Sequence, residues 1–167
     1  DFTINAMAAA LPSGEVVDLF GGVEDLRAGV LRTPRSPEES FSEDPLRMMR
    51  AARFAARFNL EVAPEVFEAM REMAGRIEII SVERVRDELV KLIEADYPRV
   101  GLNLLVDTGL ADYVLPELPA LRMEMDPAHH HKDVYEHSLK VMEQAMEKET
   151  DEDGPCPAPD FILRFAA

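Results

Sequence analysis

The stretch Glu43-Asp44-Pro45-Leu46-Arg47-Met48-Met49-Arg50-Ala51-Ala52-Arg53-Phe54-Ala55-Ala56-Arg57-Phe58 constrains this chain more than any other. It predicts one helix. Ser42 can cap it, Glu43 and Asp44 sit where the positive dipole end favours anions, and Pro45 needs no donor in the first turn. At about 100° per residue, Arg47, Arg50, Arg53 and Arg57 share an arc of roughly 120°, while Met, Ala and Phe cover most of the remainder. Four arginines on one strip repel one another unless something anionic lies along them. Arg53 and Arg57 suit either phosphates or a bracing role against a neighbouring helix.

Asp44 and Arg47 are three residues apart, so their side chains can address one ligand. A carboxylate only accepts hydrogen bonds and a guanidinium only donates them. Adenine and cytosine each place an exocyclic amine beside a bare ring nitrogen, which matches that pair. Guanine and uracil present a carbonyl and a ring N–H there, which leaves both protein groups mispaired. A site of this kind accepts ATP and CTP and rejects GTP and UTP, because unpaired buried polar groups are costly. A solvated salt bridge is the plain alternative for an isolated E-D-x-x-R.

Composition sets the outer bounds. The 167 residues are 47% hydrophobic, enough for one domain or two small ones. No apolar run approaches a membrane span, and Cys156 is alone, which fits a reducing, cytoplasmic setting. The net charge of −15 argues against a general nucleic-acid binder. Its uneven distribution softens that argument. Residues 1–60 hold nine acids against seven bases, whereas residues 101–167 hold fourteen against five. An anionic ligand therefore suits the arginine helix and not the acidic C-terminal third. Asp1 opens directly on a patterned stretch and the last residues run on as an uncapped helix, so both ends read as cuts in a longer chain.

Along the chain, Asp1 and Asn5 sit four apart on a helical turn. Glu15–Leu19 and Val30–Thr33 have strand composition and are too short for a free-standing sheet, so they are expected at the edge of a larger one. Gly21-Gly22 opens a helix that Gly29 ends, and 34–37 reads as a linker. Helices are expected from Pro64 to about Arg76, from Ser81 to a break at Tyr97-Pro98, over 100–106 and 110–114, and from an Asp133 cap to about Lys148. The fold class is mainly α-helical with a small N-terminal α/β portion.

Three stretches, in this order, resemble a known family. Asp1-Phe2-Thr3-Ile4-Asn5 is similar to the end of an R-R-D-x-x-x-N motif. Asp18-Leu19-Phe20-Gly21-Gly22-Val23-Glu24-Asp25-Leu26 is similar to a D-x-x-G-G-x-x-D-L head-to-neck junction. Glu43 to Phe54 resembles an E-D-x-x-R-x-x-R nucleotide-selecting helix. Together they resemble the bacterial class II tRNA nucleotidyltransferase and poly(A) polymerase family. Ser81 to Leu89 also resembles that family's neck, where Glu83, Arg84 and Glu88 would brace helices. His131 to Leu139 resembles the start of an HD-type metal-dependent phosphohydrolase domain, with His137 in the first metal-ligand position.

The resemblance implies three regions: residues 1–36 as the C-terminal part of a nucleotidyltransferase head, 37–118 as a helical neck that binds RNA and nucleotide, and 119–167 as a truncated HD-type start. It implies nucleotide binding by Asp1 (ribose), Asn5 (triphosphate), Asp44 and Arg47 (base) and Arg50. Asp18 and Asp25 would fix the head–neck hinge. The implied activity is template-independent addition of CMP and AMP to tRNA 3′ ends, with Mg²⁺ as cofactor and ATP and CTP as substrates. The family's catalytic carboxylates lie in a G-G-x-x-R-D and D-x-D region upstream of Asp1. No catalytic residue is therefore expected within these 167 residues, and the chain alone is expected to be inactive. Tailing with ATP only, as in the poly(A) polymerase sibling, is the nearest alternative. An HD-type phosphohydrolase around His129, His130, His131 and His137, or a non-enzymatic helical adaptor, are the readings from other classes.

Overall fold

The computed structural model describes residues 1–122, 134–149 and 158–166. A 3₁₀ turn at Thr3–Asn5 leads into β1 (Ala8–Ala9), which pairs antiparallel with β2 (Val16–Val17), Ala8 opposite Val17. Helix α1 (Gly22–Ala28) follows, ended by Gly29 at φ 71°. Strand β3 (Val30–Leu31) precedes α2 (Pro37–Glu43) and α3 (Leu46–Phe58). Beyond α3 the chain forms β4 (Glu61–Val62), α4 (Pro64–Met73) and a 3₁₀ stretch at Ala74–Ile79. Then come α5 (Val82–Ile93), α6 (Pro98–Asp107), α7 (Ala111–Val114), α8 (Glu117–Ala120), α9 (Val134–Met146) and α10 (Phe161–Ala166). The fold is mainly α-helical with a small N-terminal α/β portion, as the sequence leads one to expect.

The single helix expected from Glu43 on a Ser42 cap is instead two helices. Ser36, not Ser42, caps the first of them: its Oγ accepts from Glu39 N at 3.2 Å, and Pro37 fills the first helical position. Asp44 then leaves the helical region at φ −146°, ψ 99°. Pro45 is the cause, because its ring excludes the α conformation from the residue before it. The Asp44 carboxylate restarts the chain as α3 by accepting from Leu46 N at 3.1 Å. Asp44 therefore stands at a corner between two helices.

The two expected strands do not share a sheet. β3 pairs in parallel with β4, Val30 opposite Glu61, and nothing in the local sequence announces β4. Two residues are too few to show a period-2 pattern.

Helix α3 is the centre of the body. Met48, Met49, Ala51, Ala52, Ala55 and Ala56 are buried along it, and α5 and α6 pack on them. The alanines let α6 approach closely. A Cβ placed on Gly101 of α6 would lie 2.7 Å from Ala52 O and 3.0 Å from Ala56 Cβ. Tyr97 N donates to Ala56 O at 2.9 Å where α6 begins. The apolar face of α3 is thus spent on the core, which leaves its arginines to the opposite side.

The C-terminal helices are tied to this body by polar contacts. Arg99 of α6 reaches Glu136 at 2.8 Å and Glu143 at 2.6 Å on α9, and both hold its charge firmly. Tyr135 donates to Asn103 Oδ1 at 2.6 Å. Arg164 of α10 is buried and donates to Ile93 O and Ala95 O, at the C-terminal end of α5, at 2.8 and 2.7 Å. Glu149 pairs with Arg164 at 2.5 Å, and that hydrogen bond holds its carboxyl below the usual range.

Candidate nucleotide-binding site

Three segments far apart in sequence meet beside the N-terminal half of α3. The first is the 3₁₀ turn. Asn5 Oδ1 accepts from Phe2 N at 2.8 Å, which closes the turn and fixes Asp1 ahead of it. Phe2 and Thr3 are buried, and Thr3 Oγ1 donates to Asp25 Oδ2 at 2.7 Å on α1. Arg32 also pairs with Asp25. Asp18 in turn caps α1, accepting from Gly22 N and Val23 N, each at 2.9 Å. Those backbone donors, Val23 first, hold the Asp18 carboxyl below its ordinary value. Gly22 has no room for a side chain: a Cβ there would meet Thr3 O at 2.2 Å. Asp25 thus holds the turn against α1, while Asp18 fixes the start of that helix.

The second segment is α3. Asp1 Oδ1 accepts from Arg47 Nε at 3.2 Å and its Oδ2 from Arg50 Nη1 at 2.9 Å. Arg47 Nη1 also donates to Ser40 O, Ser40 Oγ and Glu43 Oε2 at 3.0, 3.1 and 2.8 Å. The hydrogen bond from Arg47, with the nearby Arg35 charge, lowers the Glu43 carboxyl from its usual value. Arg47 Nη2 has no protein acceptor among the described residues. Its guanidinium is oriented by four hydrogen bonds and presents one free edge. Asp1, Phe20, Pro34, Arg35, Ser40 and Arg47 line a small cleft of about 190 Å³ at this point.

The third segment is α5. Glu88 is only 6% exposed and lies 3.4 Å from Arg50 Nε and 2.6 Å from Arg53 Nε. The contact with Arg53 is a close ion pair without hydrogen-bond alignment. Arg84, one helical turn earlier, donates to Asp44 Oδ2 at 3.3 Å. Arg57 meets Asp96 at 3.5 Å.

The sequence-expected residues therefore divide. Asp1, Arg47 and Arg50 form one bonded cluster. Asn5 is exposed and spends its carbonyl oxygen on the turn, while its amide hydrogens make no contact with the cluster. Asp44 does not touch the Arg47 side chain and is held by Leu46 N and Arg84 instead. His137 is exposed on α9, and no three His, Cys, Asp or Glu residues converge on a metal position among the described residues. His129, His130, His131 and Asp133 lie outside the described residues. Ser40 and Arg35 join the cleft without a motif to mark them, and Phe20 joins it from an unspecified position of the D-x-x-G-G stretch. The sole signal for Ser40 is its place one turn before Asp44.

Asp1, Glu43, Asp44 and Glu88 each engage an arginine. Such a set does not suit Mg²⁺, which needs free carboxylates and water.

The family described as "Poly A polymerase head domain" matches residues 1–32, and "Probable RNA and SrmB-binding site of polymerase A" matches 59–121. The Multifunctional CCA protein of Nitrosomonas europaea is 39% identical over 153 residues, covering 89% of this chain and 36% of its own. The chain belongs to the CCA-adding and poly(A) polymerase family. Within this family, the solved CCA-adding enzyme of Bacillus stearothermophilus in complex with CTP superposes with a TM-score of 0.66 at 40% identity, over 68% of this chain and 29% of that one. The Thermotoga maritima CCA-adding enzyme complexed with tRNA gives 0.64 at 27% identity, over 89% and 33%. The chain spans about a third of the length of the CCA family protein from Nitrosomonas.

Proposed function

We propose that residues 1–167 are the nucleotide-selecting and neck portion of a template-independent RNA nucleotidyltransferase that adds CMP and AMP to tRNA 3′ ends. The observation that carries this is the joint grip of Asp1 on Arg47 and Arg50, which fixes two guanidiniums on the first turns of α3, the helix that Asp44 starts. In this reading Arg47 donates through its free edge to the bare ring nitrogen of cytosine or adenine. Asp44 accepts from the exocyclic amine with lone pairs that Leu46 N and Arg84 do not use. Arg50 balances the triphosphate, Asp1 reaches the ribose and Asn5 offers its amide to phosphate oxygens. Residues 1–36 belong to the head, 37–118 to the neck and 119–167 to the start of an HD-type domain with His137 at its first ligand position. Mg²⁺ is assigned to carboxylates upstream of Asp1, because those of this cluster are committed to arginines. The kinship with CCA-adding enzymes favours CCA addition over tailing with ATP alone.

The test uses residues 1–167 joined to a complete nucleotidyltransferase head. Asp44→Ala is expected to lower the preference for CTP over UTP, and for ATP over GTP, by about tenfold or more, since the mispaired carboxylate is what rejects a carbonyl and ring N–H. Unchanged preference in competition assays with all four nucleotides would remove Asp44 from the selecting pair and leave it as the α2–α3 corner alone.

A further inference from the structure

A second basic cleft lies further along α3. Arg53, Phe54, Arg57 and Phe58 face Lys91 of α5 and Glu94 just beyond it across an open depression of about 370 Å³. The charges there are unequally satisfied. Arg53 is neutralised by Glu88 at 2.6 Å. Among the described residues Arg57 pairs only with Asp96, at 3.5 Å with both side chains more than half exposed, a pairing worth little in water. Lys91 is exposed and makes no ion pair among the described residues. In a chain of net charge −15, two weakly compensated cations on one cleft are conspicuous.

The aromatic residues give the cleft a second property. Phe54 and Phe58 stack with their centroids 6.1 Å apart and their planes at 12°. Phe54 is fixed from within, by the edge of Phe2 at 5.6 Å and by the Arg53 guanidinium over its ring at 4.4 Å. Phe58 is the outer plate of that stack and keeps 48% of its surface in solvent. An exposed ring next to weakly compensated cations matches a base and its flanking phosphates. An acidic peptide would use the cations and leave the ring idle. Arg57 follows Arg47 by ten residues, about 15 Å along the helix axis, so a ligand here is distinct from a nucleotide held at Arg47.

We infer that this cleft is a subsite for single-stranded RNA, in which one base stacks on Phe58 while Arg57 and Lys91 take adjacent phosphates. The inference rests on the RNA-extending function proposed above. It places the growing strand along α3, with the incoming nucleotide at one end and this grip at the other.

The test measures binding of a short unstructured RNA across a salt series, in parallel with nucleotide incorporation, on residues 1–167 joined to a complete head. Phe58→Ala is expected to weaken RNA binding roughly tenfold, and Phe58→Tyr to restore it by keeping the ring. The double change Arg57→Ala with Lys91→Ala should flatten the slope of log affinity against log salt by about 1.4, that is about 0.7 per lost phosphate contact. KM for RNA should rise while KM for CTP and ATP stays unchanged. RNA affinity and salt slope equal to those of the parent would overturn the inference, even if incorporation proceeds. Loss of binding to an acidic peptide in the double variant, with Phe58→Ala indifferent for RNA, would also overturn it and assign a protein partner. Absence of incorporation together with the expected RNA-binding losses would instead contradict the proposed function and support the subsite.

Discussion

Glu88→Ala is expected to be among the most damaging single changes in this chain. Its carboxylate is buried and is the shared counter-charge of Arg50 and Arg53, which sit almost one turn apart on the same face of α3. Removing it leaves two like charges with only Asp1 to offset one of them. Breaking a buried ion pair costs about 3–5 kcal/mol, and the quarter exposure of both arginines admits enough water to place this case near 3 kcal/mol. For a chain of this length that is a fall in Tm of roughly 6–12 °C. The same variant should weaken nucleotide binding, because Arg50 is then free to swing away from Asp1. Glu88→Gln, which keeps the shape and one acceptor, should fall between the two. Thermal unfolding of all three gives the order, and an unchanged Tm in Glu88→Ala would show that the pair is solvated rather than structural.

Gly22→Ala is expected to disturb the site from a distance. The added Cβ would meet Thr3 O at 2.2 Å and Thr3 C at 2.7 Å, both backbone atoms that cannot step aside as a side-chain tip can. The 3₁₀ turn must then lift from α1, which strains the Thr3–Asp25 hydrogen bond and shifts Asp1 relative to Arg47 and Arg50. Overpacking of this kind costs about 1–3 kcal/mol, and contact with backbone on one side puts it at the upper end. Gly21 is the internal comparison. It has φ 75° with open space around its Cβ position, so Gly21→Ala carries conformational strain alone, about 1 kcal/mol. Gly22→Ala should therefore lose more stability than Gly21→Ala, and it alone should weaken CTP binding. Equal losses in both would mean that the turn is not pinned by Gly22.

Much of this architecture is legible in the residues themselves. The alternation of arginine with Met, Ala and Phe in 46–58 announces both the buried and the charged face of α3, since a helix sorts residues by a period of 3.6. Gly29 and Pro64 mark real ends and starts for the same local reasons. The Asp44 corner is hidden because a favourable dipole position for acids competes with the constraint that Pro45 places on its predecessor, and the proline wins. What no local rule supplies is long-range partnership. The Asp1–Arg47 bond joins residues 46 apart, and Arg84–Asp44 joins residues 40 apart. Resemblance alone marks Arg84 and Glu88 as braces, and their partners follow from the packing of α5 on α3. The Phe54–Phe58 stack is present in the i, i+4 spacing, yet its exposure depends on which neighbours cover it.

Selection of CTP and ATP for addition to a tRNA end is tested most directly by one reaction. Residues 1–167, joined to a complete head, are incubated with Mg²⁺, all four nucleotides and a tRNA lacking its 3′ end, and the products are sequenced. The expected result is a uniform CCA terminus with no incorporated U or G. Long A-tails would contradict the CCA reading in favour of the poly(A) sibling, and no extension of any RNA would contradict the nucleotidyltransferase reading itself.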